Sequence, residues 1–150
     1  LQDVSEVVFI NNAGTVKPIC SINDMKIRDF FQATAVNYMS PVILINKFKQ
    51  SVEKMNIINI SSGAALKPIS YWSTYCSTKS AMRMYLDVVA LEKDISVQHY
   101  DPGVMDTGMQ KEIREKSNKY IELKIFEEMS KNKMLKDSSY VAEEICRMIV

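Results

Sequence analysis

Two short apolar runs that each end in a polar turn constrain the fold of this chain more than any other feature. Val7–Ile10 is followed by Asn-Asn-Ala-Gly, and Ile57–Ile60 is followed by Ser-Ser-Gly. Short, unalternating runs of β-branched residues are typical of strands in a parallel sheet that is buried on both faces. A third, more polar strand is predicted over residues 95–100, where Asp-Pro-Gly ends it.

Long helices are predicted between these strands. In residues 29–54 the apolar side chains recur at spacings of three and four, and Pro41 is expected to kink this helix. The other predicted helices are a long one over residues 73–91, shorter ones over 106–117 and 119–131, one that follows Ser138-Ser139, and a short one capped by Asn23 or Asp24. The order strand, helix, strand, helix, strand predicts an α/β fold with a parallel sheet.

The sequence has 150 residues, of which 47% are hydrophobic and 25% are charged, and its net charge is +1. This composition suits one domain with a sizeable core and excludes a disordered chain and a strongly basic nucleic-acid-binding protein. No apolar run approaches the roughly 18 residues of a membrane-spanning helix, and no signal peptide is recognised. Three widely spaced cysteines favour reduced thiols in the cytoplasm. The sequence has a single histidine, which argues against a histidine-based zinc site and against a Ser-His-Asp triad.

Tyr75 and Lys79 are four positions apart on a predicted helix, so their side chains share one face. Tyr120 and Lys124 repeat the spacing and are interpreted as a solvated helix face, because only Tyr75 follows a strand-end serine, Ser62. A strand end and the first turn of the next helix are neighbours in an α/β sheet, so these side chains are expected to converge. A serine hydroxyl stabilises the oxygen of a ketone that accepts hydride, and a phenol donates the proton. A neighbouring ammonium lowers the phenol pKa from its ordinary value of about 10.

Five motifs resemble, in order and spacing, those of the short-chain dehydrogenase/reductase family. They are Asn-Asn-Ala-Gly at residues 11–14, Asn37 in Ala-Val-Asn-Tyr, Asn-Ile-Ser-Ser at 59–62, Tyr-x-x-x-Lys at 75–79 and Pro-Gly-x-x-x-Thr at 102–107. The resemblance implies a Rossmann-like, doubly wound parallel sheet, of which this chain supplies the catalytic, C-terminal portion.

The resemblance also implies a role for each matching residue. Ser62 orients the substrate carbonyl, Tyr75 is the acid/base, Lys79 binds the nicotinamide ribose and lowers the Tyr75 pKa, and Asn37 holds a water that relays protons to Lys79. The implied cofactor contacts are Asn12, Ala13, Gly14, Tyr75, Lys79, Pro102, Gly103, Val104 and Thr107.

Two longer segments are similar to the sepiapterin and benzil reductase branch of the family. They are Trp-x-x-Tyr-Cys at residues 72–76 and Pro-Gly-x-x-Asp-Thr-x-Met-Gln at residues 102–110. This finer resemblance implies NADPH as cofactor and a substrate carbonyl next to a second carbonyl or an aromatic ring. The implied substrate contacts are Ser62, Trp72, Tyr75 and Met105. The family also implies a homodimer or homotetramer through the helices at about 29–54 and 73–91, with Phe30, Phe31, Met82 and Tyr85 as candidate contacts.

The sequence departs from the family pattern at several points. The Gly-x-x-x-Gly-x-Gly turn that binds the cofactor phosphates does not occur. Residues 1–150 are therefore expected to be a fragment of one Rossmann-type domain that lacks this N-terminal part and the last strand. Asp101 precedes Pro102 and is expected to perturb the cofactor end electrostatically. Tyr71 stands where relatives often have glycine and is expected to narrow the pocket.

Simpler interpretations stay open for the single residues. Ser62 is otherwise a turn cap, Asn37 an ordinary helix residue and Thr107 a helix N-cap, while His99 and Cys76 are interpreted as residues without catalytic duty. For the whole chain the alternative is a non-catalytic dinucleotide-binding or interaction module. A weaker one is an epimerase or dehydratase of the extended branch, which shares Tyr-x-x-x-Lys.

Overall fold

Three parallel strands form the sheet in the computed structural model, which describes residues 4–149. β1 is Glu6–Asn11, β2 is Lys54–Ile60 and β3 is Ile95–Tyr100, in the spatial order β1-β2-β3. The prediction of a parallel α/β sheet is confirmed. β2 begins earlier than predicted, because pairing with β1 uses backbone groups and does not require apolar side chains at its start. The expected chain boundaries at Leu1 and Val150 lie outside the described residues.

Six α-helices are present among the described residues. They are α1 (Ile27–Thr34), α2 (Ser40–Lys49), α3 (Ser73–Val89), α4 (Gly108–Lys116), α5 (Lys124–Lys131) and α6 (Ser138–Arg147). A π-helical turn, Ala35–Met39, joins α1 to α2 and lies directly before Pro41. Proline has no N–H for the usual bond to the carbonyl four residues back, so the irregularity expected at Pro41 takes the form of this turn. The first long helix ends at Lys49, earlier than predicted.

Two apolar cores hold these elements together. Beneath the long helices, Met55 and Ile57 of β2 pack against Ile45 of α2 and against Met82 and Leu86 of α3. A second core lies under the loops at the carboxyl end of the sheet, and its buried members are Val16, Ile19, Ala64, Trp72, Tyr75, Ile113, Tyr120 and Leu123. The long helices therefore cover one face of the sheet, and the second core supports the loops that follow the strands.

Some local predictions are wrong. Asn23 and Asp24 lie inside a 3-10 turn, Ile22–Asp24, whose N-cap is Ser21. Tyr120 is buried and stacks on Tyr71 with ring centres 4.0 Å apart, so it does not lie on a solvated helix face. Met82 is only 1% exposed within the chain's own core, so it is unavailable as a subunit contact. Within residues 4–149, no helix is long and apolar enough to cross a membrane.

Candidate active site

The carboxyl ends of the three strands meet at one edge of the sheet and surround a cavity of about 430 Å³. Ser62 reaches this cavity from the turn after β2, and Tyr75 and Lys79 reach it from the first turns of α3. The three side chains therefore converge as predicted. Ser62 also caps a 3-10 turn, since its Oγ accepts a hydrogen bond from the Ala64 N–H at 3.2 Å. The cap and the position in the cavity are compatible, because Ser62 is only partly buried.

Lys79 is buried, and its ammonium is held by the strand that carries Ser62. Its Nζ donates a hydrogen bond to the carbonyl oxygen of Ile60 at 2.8 Å. Gly14 lies directly opposite, because a Cβ added there would be 3.9 Å from Lys79 Nζ and 3.4 Å from Asn37 Oδ1. The chain after β1 thus passes close to Lys79 and leaves an open space beside the ammonium.

Asn37 lies behind the cavity, in the π-helical turn, and is buried. Its Oδ1 accepts from the Thr15 N–H at 2.8 Å, and its Nδ2 donates to the Thr15 carbonyl at 2.9 Å and to Thr78 Oγ1 at 3.1 Å. The amide therefore ties the loop after β1 to α3, and it has no N–H left over for a water. Asn37 is not an ordinary helix residue, since its side chain fixes the position of two elements of the site.

The pKa of the Tyr75 phenol departs from the sequence-based expectation. Burial is the largest effect and raises this pKa above the ordinary value, hydrogen bonding to Ser62 opposes the rise, and the Asp101 charge adds to it. Lys79 Nζ lies 5.9 Å from the centre of the Tyr75 ring. Burial lowers the pKa of Lys79, and Asp101 again acts to raise it. The Tyr75 pKa is thus raised in this arrangement and not lowered as expected, because burial disfavours the charged phenolate.

Aromatic side chains form one wall of the cavity. Trp72 is 4% exposed, meets the Tyr75 ring edge-on at 5.5 Å and stacks on Phe126 of α5 at 5.3 Å with an angle of 13°. No sequence motif predicts that Phe126 lies at the site, because the packing of α5 alone brings it there. Tyr71 does not narrow the cavity as expected: it has φ +68°, the region that favours glycine, and its ring faces Tyr120 instead.

The segment after β3 forms the opposite wall. Gly103 has φ +73°, and its N–H donates to Asp101 Oδ1 at 2.9 Å. Thr107 is the N-cap of α4 and accepts from the Gln110 N–H at 3.4 Å. Met105 forms an isolated parallel β-bridge with Lys136, so the segment before α6 supports this wall through backbone hydrogen bonds. The interpretation of Thr107 as an N-cap is confirmed, and it leaves the side chain at the cavity.

Most of the predicted site residues line this one cavity. They are Asn12, Gly14, Ser62, Trp72, Tyr75, Lys79, Pro102, Gly103, Val104, Met105 and Thr107. Ala13 and Asn37 do not line it. Sequence reasoning did not assign the lining residues Ile60, Ser61, Gly63, Ala64, Ile69, Gln110, Ile113 and Phe126 to the site. Within residues 4–149 no cluster of side chains suited to a metal ion is found.

Comparisons with known proteins agree with this fold and show the family. The family model described as short chain dehydrogenase matches residues 5–118, and the chain belongs to this family. It is 32% identical to a benzil reductase ((S)-benzoin forming) from Bacillus cereus over 99% of the chain and 64% of that protein. It is 35% identical to sepiapterin reductase from Rattus norvegicus over 77% of the chain and 47% of that protein. The chain thus spans less than two thirds of the length of these relatives.

Solved structures of related proteins show the same fold. A short chain dehydrogenase/reductase from Saccharomyces cerevisiae superimposes with a TM-score of 0.82 at 27% identity, over 88% of the chain and 55% of that structure. The NADPH-bound Y152F variant of ElxO superimposes with a TM-score of 0.60 at 29% identity, over 72% of the chain and 46% of that structure. The family binds NAD(P)(H).

Proposed function

We propose that the protein is an NADPH-dependent oxidoreductase that reduces a ketone or diketone to an alcohol. The observation that carries the proposal is the convergence of Ser62, Tyr75 and Lys79 on one cavity at the carboxyl edge of a parallel sheet. A hydroxyl and a phenol in one cavity can stabilise and protonate the oxygen of a carbonyl that accepts hydride, and a nearby ammonium can bind the cofactor. Relatives described as benzil reductase and sepiapterin reductase support this reaction class.

The residues present fit a dinucleotide. Gly14 has no side chain to fill the space beside Lys79 and Asn37, and the wall at Gly103 leaves its backbone open to the cavity. We assign Asn12, Ala13 and Gly14 to the adenosine side. Tyr75 and Lys79 would hold the nicotinamide ribose, and the nicotinamide end would lie against Pro102, Gly103, Val104 and Thr107. The reduced nicotinamide supplies the hydride when it is bound.

The chain's own residues carry out the rest of the reaction. The Ser62 hydroxyl donates to the substrate carbonyl oxygen and stabilises the negative charge that develops there. The Tyr75 phenol donates its proton to that oxygen. Burial raises the pKa of Tyr75, so the phenol keeps the proton that it donates in the reduction. The proton that Tyr75 gives up is replaced from solvent, Lys79 holds the nicotinamide ribose with its ammonium, and Asn37 holds α3 against the loop after β1.

The substrate pocket is aromatic on the side of Trp72 and Phe126, and Met105 and Met109 add apolar surface. Such a wall suits an aryl or other flat apolar group next to the reacting carbonyl. This supports a ketone with an adjacent carbonyl or aromatic ring as substrate. NADPH is preferred to NADH in this proposal because of the reductase branch that residues 72–76 and 102–110 resemble and the NADPH-bound neighbour.

The protein is further proposed to be a cytoplasmic homodimer or homotetramer. Apolar side chains cover the outer surface of the long helices, with Phe31 62%, Ile43 56% and Met84 64% exposed. Several exposed apolar side chains on these helices favour a protein interface there. Phe30 and Tyr85 are half-buried within the chain and border it. The thiols of Cys20, Cys76 and Cys146 are free, which supports a reducing compartment.

The experiment that tests the proposal is NADPH oxidation with 1-phenylpropane-1,2-dione, followed at the absorbance of the reduced cofactor. Turnover with NADPH, faster than with NADH, is the expected result. Tight dinucleotide binding without turnover of any aryl ketone or diketone would instead favour the non-catalytic dinucleotide-binding or interaction module.

A further inference from the structure

Asp101 is an exposed residue that places a carboxylate in the wall of the proposed active site. Its Oδ1 accepts a hydrogen bond from the Gly103 N–H at 2.9 Å, which pins the side chain to its own turn. Its Oδ2 points the other way, since a Cβ added at Gly63 would be 3.7 Å from this oxygen. Gly63 directly follows Ser62, so the second carboxylate oxygen faces the turn that presents the serine hydroxyl.

Within the described part of the chain, the Asp101 carboxylate is not paired with a positively charged side chain in the cavity. Among the described residues that line it, Asp101 is the one acidic side chain and Lys79 the one basic side chain. No ion pair of Asp101 is found in residues 4–149. Its charge nevertheless reaches the reacting groups, because it acts to raise the pKa of both Tyr75 and Lys79. The Asp101 carboxylate is therefore a hydrogen-bond acceptor in the cavity wall, beside the turn that carries Ser62.

The cavity wall presents hydrogen-bond donors at Ser62 and Tyr75 and a hydrogen-bond acceptor at Asp101. Ser62 and Tyr75 donate, so they select an acceptor, which is the reacting carbonyl oxygen. The ionised Asp101 carboxylate can only accept, so it selects a donor. A second carbonyl oxygen turned toward Asp101 would meet a negative charge without a hydrogen to share, whereas a hydroxyl or ammonium there would form a charge-assisted hydrogen bond.

We propose that Asp101 is a specificity-determining residue that selects ketones with a hydroxyl or ammonium group on the carbon next to the reacting carbonyl. This inference rests on the proposed carbonyl reductase function and narrows its substrate class: ketones with an adjacent hydroxyl or ammonium group are expected to be preferred to diketones such as 1-phenylpropane-1,2-dione, which are still reduced. The aromatic wall at Trp72 then holds the group on the other side of the carbonyl.

The test compares α-hydroxyacetophenone with α-methoxyacetophenone, which differ in the hydrogen that Asp101 would accept. The variant is Asp101→Asn in the enzyme produced from its natural gene. Asparagine keeps Oδ1 for the Gly103 N–H and turns Oδ2 into a donor. The control is Asp106→Asn, which lies on the same segment, does not line the cavity and is 70% exposed in its side chain.

The native enzyme is expected to prefer the hydroxy ketone in kcat/KM by about 10- to 100-fold, the range of one hydrogen bond to a charged group. Asp101→Asn is expected to abolish this preference, and Asp106→Asn to retain it. A preference that survives Asp101→Asn overturns the inference, and so does its absence in the native enzyme. If Asp101→Asn does not fold, Asp101→Ser removes the same charge and is expected to give the same loss.

A binding measurement separates this inference from the proposed function. Aryl ketones that enter the cavity are expected to quench the fluorescence of Trp72, which gives dissociation constants without turnover. If no ketone is reduced but the hydroxy ketone binds more tightly in an Asp101-dependent way, the proposed function fails and the selectivity stands. If ketones are reduced with the same ratio in the native enzyme and in Asp101→Asn, the function stands and the selectivity fails.

Discussion

The side-chain amide of Asn59 donates a hydrogen bond to Nδ1 of His99 at 3.0 Å. On its other side, Asn59 Oδ1 accepts from Asn11 Nδ2 at 2.9 Å, and His99 Nε2 lies 2.9 Å from Asp87 Oδ1. Since Nδ1 accepts in this arrangement, the ring proton lies on Nε2 and is donated to Asp87. The ladder crosses all three strands just before the site loops and ends on α3, so His99 has a structural task.

Asn59→Leu is expected to lower the free energy of unfolding by about 1–3 kcal/mol, because it leaves polar groups of Asn11 and His99 without partners in a buried layer. Urea unfolding measures this change. Asn56→Leu on the same strand is the control, since Asn56 is only partly buried and lies on the opposite face of the sheet. Equal losses in the two variants would contradict the importance of the ladder.

Tyr75→Phe is expected to lower kcat for ketone reduction by about 10²–10⁴-fold, the usual contribution of a positioned proton donor. The fold should persist, because the ring that packs against Trp72 is retained. Steady-state rates together with circular dichroism check both parts. Tyr85→Phe on the same helix is the matched control and should keep native rates. A soluble Tyr75→Phe protein with near-native rates would remove Tyr75 from the mechanism.

Lys79→Ala is expected to weaken NADPH binding by about 10- to 100-fold, since one charge-assisted hydrogen bond to the cofactor ribose is lost. Titration of NADPH fluorescence measures the dissociation constant. The second Tyr-x-x-x-Lys pair offers the control, Lys124→Ala, whose side chain is exposed and outside the cavity. Similar affinities for Lys79→Ala and Lys124→Ala would show that Lys79 does not contact the cofactor.

Tyr100 gives a pH-dependent prediction. Its hydroxyl donates to Glu144 Oε2 at 2.5 Å, and this hydrogen bond raises the pKa of Tyr100 to about 12. A pKa raised above the unfolded value of about 10 means that the stabilisation is complete below pH 10 and is lost as the pH rises toward about 12.

The measurement is the melting temperature between pH 8 and pH 12 for the native protein and Tyr100→Phe. The native protein is expected to be more stable at the lower end, and the difference is expected to shrink above about pH 10. Glu144→Gln removes the charged acceptor that raises the folded pKa, so the alkaline loss should be smaller and should end at a lower pH. A difference that stays constant with pH would show that Tyr100 does not titrate in this range.

Much of the fold could be predicted because its signals are local. Val7–Ile10 and Ile57–Ile60 form strands since short apolar runs between polar turns have few other ways to be buried. The i, i+4 spacing of Tyr75 and Lys79 places both on one helix face wherever α3 packs. Helix ends were less predictable. Lys49 ends α2 because the chain must turn there to enter β2, which nothing in the local pattern indicates.

Residues that act across long separations in the chain were not predictable in the same way. Phe126 stacks on Trp72 only because α5 returns to the site, and Asn37 bonds to Thr15 and Thr78 only because a π-helical turn aims its amide inward. No spacing or motif encodes such contacts. They follow from how several elements share one buried volume.

The sequence by itself determined where the candidate reactive residues lie relative to the strands and helices. A serine follows β2, a tyrosine and a lysine lie on α3, and a Pro-Gly turn follows β3. Only the tertiary structure decided the electrostatic balance among them. The sequence suggested that Lys79 lowers the Tyr75 pKa, yet the folded chain raises it. Spacing along a helix specifies which charges are neighbours, whereas desolvation depends on every element packed around them, here the aromatic wall and the core beneath the loops.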